Sequence, residues 1–369
     1  MKLLAITNQG LEDIGKKEIE TLIKANCHVE RSKVFFEGNL RDIYTLNYLC
    51  RTINKIYILL VRHKFDTLDD IYKAAKNVDY FEFVDPSQSF AVKSTRSGEH
   101  DFTSIDVSRV VGQAIIDSYM DETHHRLKVD LNNPDIEFKA LVVNDNFILG
   151  INTTGEGLHK RGYRVYQHPA PLKTTIASAL IDISGWSGEP LIDPMCGGGT
   201  IPIEAAMKVR NIPPGKFRSF SFTRFKFFDE DEYKEIIEKA NMRINRNKYE
   251  IIGVEKYVRH VNGAILNAES AGVSDTVKFI NGDATEIEYS PEIKHIITNP
   301  PYGIRIARRS KLEYFYKKFI RRISQLSGIT LTIIIGNKYF RKICPFKLIH
   351  SRQILYGELL TDILVYKVF

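Results

Sequence analysis

The sequence predicts an α/β protein in which a mostly parallel sheet follows an amino-terminal α+β module. In the second half of the chain, short apolar runs alternate with helical patterns, as the βα units of a parallel sheet require. In the first half, strands are interleaved with helices and include a hairpin, which is typical of a mixed sheet. Gly155-Glu156-Gly157 and Pro169-Ala170-Pro171 bracket a basic segment between the two halves, and this pattern indicates an interdomain connection.

The composition is that of a globular protein without membrane segments. The chain has 369 residues, of which 43% are hydrophobic and 26% are charged, and this length allows two or three domains. No apolar run reaches the roughly 18 residues that a membrane-spanning helix needs. The amino terminus reads as a first strand rather than as a signal peptide. We therefore expect no membrane association.

The cysteines and the net charge indicate the location of the protein and the kind of partner that it binds. The four cysteines are scattered, with no CxxC pair and no metal-ligand spacing. This pattern argues against a zinc site, predicts no bound metal and fits the reducing cytoplasm, where we expect the protein to be located. The net charge of +7 favours a polyanionic partner. In the segment Lys160-Arg161-Gly162-Tyr163-Arg164, cations and tyrosine alternate as a phosphate-and-base surface requires.

The amino-terminal half carries local signals for most of its elements. Thr103, with Asp106 three residues later, fits a helical capping box, and apolar residues then recur on one helical face from Val107 to Ser118. Asn144-Asp145-Asn146 separates two apolar runs and predicts a hairpin. No catalytic cluster is evident in this half. The other predicted elements are strands at Met1–Thr7, Lys33–Glu37, Lys55–Val61 and Phe90–Ser94, a helix at Leu11–Lys24, and a helix between the strands at Lys33–Glu37 and Lys55–Val61.

The carboxyl-terminal half reads as successive strands joined by helices. Two late strands, Lys347–Gln353 and Asp362–Val368, lie close together in the chain and predict a terminal antiparallel pair. In open α/β sheets, ligands bind at the carboxyl ends of the parallel strands. The residues that follow those strands are therefore the candidates for a site. The parallel strands are predicted at Leu191–Asp193, Glu250–Glu255, Val277–Ile280, His295–Thr298 and Thr330–Ile335, with a helix at Ile201–Val209.

The motif Asn299-Pro300-Pro301-Tyr302 follows one of these strands and is the most informative part of the chain. Adjacent prolines cannot continue a strand ladder or a helix interior, so the strand stops abruptly. The motif suits the binding of an exocyclic amino group of a flat base. The Asn299 side-chain oxygen and the Pro300 carbonyl would accept the two amino hydrogens, and Tyr302 would stack on the ring. Taken alone, the motif fits a strand-ending turn equally well.

A glycine-rich turn, Asp193-Pro194-Met195-Cys196-Gly197-Gly198-Gly199-Thr200, leads from the first parallel strand into a helix. Three successive glycines let a ligand approach the backbone closely and expose amide groups at the helix start. The pattern is neither GxGxxG nor GxxxxGK[ST], which argues against a nicotinamide dinucleotide and against a nucleoside triphosphate. Glu255 ends the next strand, where a carboxylate can accept from ribose hydroxyls. Asp283 follows the third strand, where it could accept from an adenine amino group.

With these motifs, residues 170–369 resemble a Rossmann-like class I S-adenosylmethionine-dependent methyltransferase that acts on amino groups. Residues 1–165 resemble a ferredoxin-like module followed by a THUMP domain, an RNA-binding domain of modification enzymes. This second resemblance rests on Phe90–Gly98, Ser104–Tyr119 and the segments 129–135 and 158–164. The nearest subfamily comprises tRNA guanine N2-methyltransferases acting at position 6 of the acceptor stem, whose pattern is matched by Asp193–Cys196, Asn262–Val273, Asn299–Arg305 and Ala170–Lys173.

The resemblance implies a domain division, a cofactor, a partner and a set of site residues. The domains would be a ferredoxin-like subdomain at 1–62, a THUMP domain at 63–155, a basic linker at 156–178 and a methyltransferase domain with a seven-stranded mixed sheet at 179–369. S-adenosylmethionine would be the cofactor and tRNA the partner, with the protein acting as a monomer. The implied catalytic residues are Asn299, Pro300, Pro301 and Tyr302. The implied cofactor-binding residues are Pro171, Asp193, Met195, Cys196, Gly197, Gly198, Gly199, Thr200, Glu255, Lys256, Asp283, Ala284 and Asn299. The implied RNA-binding residues are Lys93, Arg96, Lys160, Arg161, Tyr163, Arg164 and Arg305.

Two residues depart from the family pattern. Gly198 stands where relatives often carry serine, and Glu255 stands where many carry aspartate. Both changes are chemically tolerable for the expected cofactor.

Several alternatives remain open from the sequence. The same site could act on a guanine elsewhere in tRNA or in ribosomal RNA, or on the N6 amine of adenine. A non-catalytic RNA-binding scaffold is a different class of function, although intact Asp193 and Asn299 argue against it. A covalent route to a pyrimidine would need a thiol at the target strand end, and Cys196 lies in the cofactor loop instead. The aromatic and basic segment 217–228 could stack on RNA, cover the cofactor, or form an edge strand.

Overall fold

The computed structural model describes residues 1–301 and 309–369, and its amino-terminal module is built on an eight-stranded sheet. The strands are β1 (Lys2–Ile6), β2 (Cys27–Glu30), β3 (Lys33–Glu37), β4 (Lys55–Lys64), β5 (Ser89–Ser97), β6 (Lys128–Val129), β7 (Ile136–Val143) and β8 (Asn146–Asn152). They lie side by side in the order β2-β3-β1-β4-β8-β7-β5-β6. The sheet is continuous, so the two predicted amino-terminal subdomains share one set of hydrogen-bonded strands through the β4–β8 pairing.

One face of this sheet carries the core of the module. Along β7, Ile136, Phe138, Ala140 and Val142 are buried and the residues between them are more exposed, which is the period of two that a one-sided sheet requires. Four helices contribute apolar side chains to the same core, as Ile71 and Val107 illustrate. These helices are α1 (Glu12–Ile23), α2 (Leu40–Leu49), α3 (Leu68–Lys76) and α4 (Ser104–Thr123).

Local sequence patterns mark the ends of several of these elements. The predicted capping box is present at the start of α4, where the Asp106 amide donates to Thr103 Oγ1 and the Asp106 carboxylate accepts from the Thr103 amide. The predicted hairpin joins β7 and β8 in antiparallel register. Sequence reasoning missed α3, although Thr67 and Asp70 form the same capping box at its start. It also missed β2 and β6, which are only four and two residues long.

The second sheet has seven strands and is mixed, as predicted. Its strands are β9 (Leu191–Asp193), β10 (Ile251–Glu255), β11 (Val277–Asn281), β12 (His295–Thr298), β13 (Thr330–Ile335), β14 (Lys347–Tyr356) and β15 (Leu359–Lys367), in the order β11-β10-β9-β12-β13-β15-β14. The strands from β9 to β13 are parallel, and β15 and β14 complete the sheet in antiparallel pairing. The helices of this half of the chain are α5 (Thr174–Ile183), α6 (Thr200–Val209), α7 (Glu230–Met242), α8 (Val258–Ser270), α9 (Arg309–Ile323) and α10 (Tyr339–Ile343). Of these, α7 packs into the core of the amino-terminal module through Ile236 and Ala240.

The order of the strands places a crevice beside β9. After β9 the chain continues to β10 and β11 on one side of it, and then returns to β12 and β13 on the other side. A reversal of this kind leaves the loops at the carboxyl ends of β9 and β12 pointing apart, and ligands bind in the resulting crevice.

The aromatic and basic segment 217–228 completes the core of the amino-terminal module. Phe222 is fully buried, and its ring lies 4.8 Å from that of Tyr44 on α2. The segment contains a short 3-10 turn, Ser221–Arg224, and no strand. Arg218 donates to the backbone carbonyls of Thr154, Glu156 and Gly157. The phenylalanines therefore pack into a core, as the alternative of an edge strand packing its phenylalanines required, although no strand forms. Their burial in a neighbouring module argues against RNA stacking, and none of the segment lines the cavity described below, which argues against cofactor coverage.

The segment 156–178, predicted as a basic linker, is packed between the two sheets rather than extended between them. Leu158 and Leu172 are buried, and α5 already begins at Thr174. The sequence suggested a linker because of its glycines, prolines and cations, but the apolar residues among them belong to the cores on either side.

The parts of the chain that the structure describes contain no helix long and apolar enough to cross a membrane. Within residues 1–301 and 309–369, no group of three or more His, Cys, Asp or Glu side chains is arranged to hold a metal ion.

Candidate active site

A cavity of about 820 Å³ opens at the carboxyl ends of β9, β10, β11 and β12. The structure thus brings together the residues that the sequence predicted separately at the ends of four strands. The predicted residues that line it are Pro171, Asp193, Met195, Cys196, Gly197, Gly198, Thr200, Glu255, Lys256, Asp283, Ala284, Asn299, Pro300 and Pro301. Tyr302 and Arg305, also predicted, lie outside the described residues.

In the glycine-rich turn after β9, two glycines have a backbone conformation that disfavours any other residue. Gly197 and Gly199 both have positive φ, at +54° and +81°, where a side chain is strained. A Cβ on Gly199 would also lie 2.8 Å from the Phe279 ring. Gly199 therefore serves the packing of the turn against β11, whereas Gly197 and Gly198 form the cavity wall.

Asp193 lies at the bottom of the cavity and is almost completely buried. Its Oδ1 accepts hydrogen bonds from Thr298 Oγ1 at 2.7 Å and from the Met195 amide at 3.1 Å. Burial raises the pKa of Asp193 to about 7, against the lowering effect of these two donors. The carboxyl group can therefore change its charge near neutral pH when a charged ligand binds beside it.

Two further carboxylates line the same edge of the sheet. Glu255 is oriented by two backbone amides, those of Gly197 at 3.2 Å and Tyr257 at 2.9 Å. Asp283 accepts from Lys256 Nζ at 2.8 Å. Burial alone would raise the pKa of Asp283, but hydrogen bonds from Lys256 and Thr285 hold it below its usual value. Asp283 thus keeps its negative charge in the cavity wall.

The side-chain oxygen of Asn299 lacks a hydrogen-bond donor among the residues that the structure describes. This oxygen, Oδ1, is buried. The strand end that carries it is braced from α9, because Tyr316 Oη donates to the Pro301 carbonyl at 2.9 Å. A buried acceptor without a partner costs free energy, so its presence at a cavity wall indicates a ligand that donates a hydrogen bond there.

Cys196 does not offer a nucleophile. The side chain is buried, and burial raises the pKa of its thiol well above the usual range. A neutral thiol attacks poorly. The arrangement therefore favours transfer of a group to a bound amine over a route through a covalent enzyme intermediate.

Sequence reasoning missed several residues that line the cavity. They include His168, Tyr257, His260, Phe315, Tyr356 and Leu359. Tyr356, on β14, donates to the Pro171 carbonyl at 2.8 Å and so joins the terminal strand pair to the cavity wall. These residues come from segments that are distant in the chain, so no local pattern identifies them. Gly263 in the middle of α8 does indicate a close contact on that helix, but its neighbour is Tyr166, which does not line the cavity.

The prediction that Arg161 and Tyr163 contact RNA is wrong. Arg161 is only 1% exposed and forms a buried ion pair with Glu204 on α6, with Nη2 3.2 Å from Oε2. Tyr163, also buried, donates to Glu204 Oε1 at 3.0 Å. Burial alone would raise the pKa of Glu204, but the charge of Arg161 keeps it below its usual value. The pair connects the two modules, because Arg161 Nη2 also donates to the Arg51 carbonyl.

The other predicted RNA-binding residues have mixed positions. Arg164 is partly buried and donates to Thr200 Oγ1 at 2.8 Å, so it braces the start of α6. Lys160 is exposed and pairs with Glu156. Lys93 is 56% exposed and pairs with Glu137, and Arg96 is partly buried beside His100. Among the described members of the set, Lys93 and Lys160 therefore present positive charge to solvent, and Arg96 and Arg164 do so in part.

Comparison with protein families matches three consecutive regions of the chain. Residues 161–355 match an RMKL-like methyltransferase domain. Residues 65–152 match a THUMP domain, and residues 2–57 match an RlmL ferredoxin-like domain. The matched regions together extend over most of the chain and follow the order of the two sheets.

Individual relatives match over nearly the full length. The chain is 44% identical to a tRNA (guanine(6)-N2)-methyltransferase of Methanocaldococcus jannaschii, with 96% of each chain covered. It is 41% identical to a protein of the same name from Archaeoglobus fulgidus, covering 100% of this chain and 92% of the relative. Among solved structures, SMU.472, a putative methyltransferase complexed with SAH, superposes with a TM-score of 0.92 at 26% identity, covering 100% of this chain and 98% of that one.

Proposed function

The chain belongs to the THUMP-containing family of RMKL-like methyltransferases, and from this membership we propose that it methylates N2 of a guanosine in tRNA, at position 6 of the acceptor stem, with S-adenosylmethionine as the methyl donor. The names of the two archaeal relatives support the substrate and the position. The observation that carries the proposal is the buried Asn299 Oδ1 at the cavity wall, which has no donor among residues 1–301 and 309–369. An exocyclic amine is the kind of donor that it requires.

The residues of the cavity fit S-adenosylmethionine. Gly197 and Gly198 line the cavity, and backbone without side chains lets a ligand approach closely. Asp193 would face the ammonium group of the amino-acid end, and Glu255 would accept from the ribose hydroxyls. Asp283 and Ala284 would border the adenine, and Pro171 would close the opposite wall. When bound, the cofactor supplies a methyl group on a positively charged sulfur.

The contribution of the protein to the reaction is placement. The guanine amine is a poor nucleophile because its lone pair is delocalised into the ring. With Asn299 Oδ1 and the Pro300 carbonyl accepting its two hydrogens, the lone pair is held in one direction, toward the methyl group. The same two oxygens stabilise the positive charge that grows on the nitrogen. Tyr302, which we propose to stack on the base, follows directly in the chain.

A base in a stem must leave its stack before it reaches this cavity, at a cost of a few kcal/mol. Contacts between phosphates and the amino-terminal module would offset that cost. We assign the contacts of this module to Lys93 and Arg96. Lys160, in the segment between the two sheets, and Arg305, after β12, would add phosphate contacts, whereas Arg161 and Tyr163 are buried and Arg164 braces the start of α6.

The test is methyl transfer from labelled S-adenosylmethionine to unmodified tRNA transcripts, followed by mass spectrometry of the nucleosides. We expect N2-methylguanosine, located at position 6 by fragment mapping. A transcript with another base pair at that position is the matched control and should accept no methyl group. N6-methyladenosine, or N2-methylguanosine at another position, would contradict the proposed target. No transfer despite cofactor binding would contradict tRNA as the substrate.

A further inference from the structure

We infer that His168 donates a hydrogen bond from Nε2 to the carboxylate at the amino-acid end of the bound cofactor. This inference rests on the proposed use of S-adenosylmethionine. It assigns a role to a side chain that lines the same cavity as the three acidic residues and that has no part in the methyl transfer described above.

The first argument is position. His168 lies directly over the glycine-rich turn: a Cβ built on Gly197 would lie 3.4 Å from both Nε2 and Cε1 of the imidazole. A Cβ on Gly198 would lie 3.2 Å from the His168 Cβ. The ring and the two glycines thus form one corner of the cavity, immediately before α6 begins at Thr200.

The second argument is the tautomer. The Ala170 amide donates to His168 Nδ1 at 3.1 Å, so Nδ1 must carry a lone pair. The proton of the neutral imidazole is then on Nε2. Because Nε2 has no acceptor among the described residues, the ring presents a donor to whatever occupies this corner of the cavity.

The third argument is that His260, Tyr166 and Asn267 form a support that holds the ring in place. The His260 ring contacts His168 edge-on at a centroid distance of 4.4 Å, and Tyr166 Oη lies 2.6 Å from His260 Nδ1. Asn267 accepts from the Tyr166 amide at 2.8 Å and donates to the Gly198 carbonyl at 3.0 Å. Gly263 makes the contact possible, because a Cβ there would lie 2.1 Å from the Tyr166 ring. The support fixes the segment around His168 to both α8 and the turn.

The fourth argument is charge. The amino-acid end of the cofactor carries an ammonium and a carboxylate, and a carboxylate cannot lie against Asp193, Glu255 or Asp283 without repulsion. Lys256 is already paired with Asp283. At the corner of Gly197 and Gly198, Glu255 already accepts from the Gly197 amide and would be occupied by the ribose hydroxyls, while α6 begins just beyond, at Thr200, with its partial positive charge. A donor from His168 completes a site for an anion there, whereas Asp193 suits the cation.

The experiment compares two ligands by calorimetry, S-adenosylhomocysteine and 5′-methylthioadenosine, which shares the adenosine but lacks the amino-acid end. We expect His168→Ala to weaken S-adenosylhomocysteine at least tenfold, the effect of losing one hydrogen bond to a charged group. Binding of 5′-methylthioadenosine should change less than twofold. His168→Gln, which keeps an N–H donor, should recover part of the loss, and His350→Ala, on the exposed β14, should affect neither ligand.

The outcomes separate the inference from the function on which it rests. Equal weakening of both ligands by His168→Ala would place the contact at the adenosine, or would reveal a general collapse of the cavity, and would overturn the inference. Unchanged binding of S-adenosylhomocysteine would also overturn it. Failure of the wild-type protein to bind S-adenosylhomocysteine would instead contradict the proposed cofactor, before any variant is compared.

Discussion

The Thr298 hydroxyl donates a hydrogen bond of 2.7 Å to Asp193 and thereby joins the ends of the adjacent strands β12 and β9. Thr298 directly precedes Asn299, the residue proposed to hold the target amine. Asp193 begins the turn proposed to hold the cofactor. One buried hydrogen bond thus fixes the spacing between the two halves of the site, and this spacing decides whether amine and methyl group are aligned.

Asp193 should make the stability of the protein depend on pH. Its pKa of about 7 lies far above the value of about 3.9 that an aspartate has in an unfolded chain. Between these values the folded protein holds a proton that the unfolded chain has released, so the free energy of unfolding falls as the pH rises from about 4 to about 7. We expect Asp193→Asn to remove this dependence, of which on the order of 3 kcal/mol lies between pH 5 and pH 8, as measured by urea unfolding at those two pH values.

The same titration should appear in cofactor binding. The ionised carboxylate binds an ammonium group much more strongly than the neutral acid does, so the affinity for S-adenosylhomocysteine should fall by up to tenfold for each pH unit below about 7 and level off above it. Thr298→Val removes a donor that stabilises the carboxylate, and should move the midpoint to higher pH. A curve unchanged in Thr298→Val would mean that this hydroxyl does not hold the carboxylate.

Asn299→Ala should separate turnover from cofactor binding. The substitution removes the acceptor that positions the amine, and we expect kcat to fall by about 10²- to 10³-fold, as for the loss of one positioned hydrogen-bond partner in an active site. The affinity for S-adenosylhomocysteine should stay within about threefold, because Asp193, Glu255 and the glycine-rich turn are intact. Asn262→Ala, an exposed asparagine on α8, is the control. Normal turnover in Asn299→Ala would remove this residue from the proposed mechanism.

Arg161→Met should destabilise the fold rather than weaken RNA binding. Removing one partner of a buried ion pair costs about 3–5 kcal/mol, because Glu204 is left as an uncompensated charge. The double variant Arg161→Met with Glu204→Met should recover much of that loss, as measured by chemical unfolding. Lys160→Met is the matched control, since its exposed pair with Glu156 contributes little to stability. Glu204→Met alone completes the cycle, and a double-variant loss equal to the sum of the two single losses would show that the pair is not coupled.

Phe222→Ala should also destabilise the fold without weakening RNA binding. The ring is fully buried against Tyr44, so we expect a loss of about 3–5 kcal/mol of unfolding free energy. The affinity of the folded fraction for tRNA should not change, because the ring does not reach solvent. Tyr314→Ala, which removes an aromatic side chain that is 63% exposed on α9, should leave stability nearly unchanged. A selective loss of tRNA affinity in Phe222→Ala would restore the stacking hypothesis.

Lys93→Ala and Lys160→Ala should each remove about one phosphate contact. The expected signature is a decrease of about one in the slope of log affinity against log salt concentration, with a similar loss for different tRNA sequences. Lys239→Ala, on α7, provides a control for a general change in net charge. An unchanged slope in both lysine variants would place the RNA contact elsewhere on the module.

Local patterns predicted the ends of β9 and β12 well, because each strand end is determined by the residues that directly follow it in the chain. The prolines after Thr298 and the glycines after Asp193 determine the backbone wherever they occur, and both predictions placed residues in one cavity. The basic segment was misread because Arg161 is neutralised by Glu204, 43 residues later in the chain. A lone glutamate among the apolar residues of α6 was the available signal, since a buried carboxylate needs a cationic partner. The contact of His168 with His260 had no local signal.

The packing of segment 217–228 into the core of the amino-terminal module has a consequence for protein synthesis. Phe220, Phe222 and Phe225, with Ile236 and Ala240 on α7, belong to the same core as strands that end at Asn152. While the ribosome is still translating the residues between Asn152 and Phe220, the nascent module has an unfilled apolar surface. Its folding therefore cannot finish before α7 has left the exit tunnel, and until then that surface is available to chaperones.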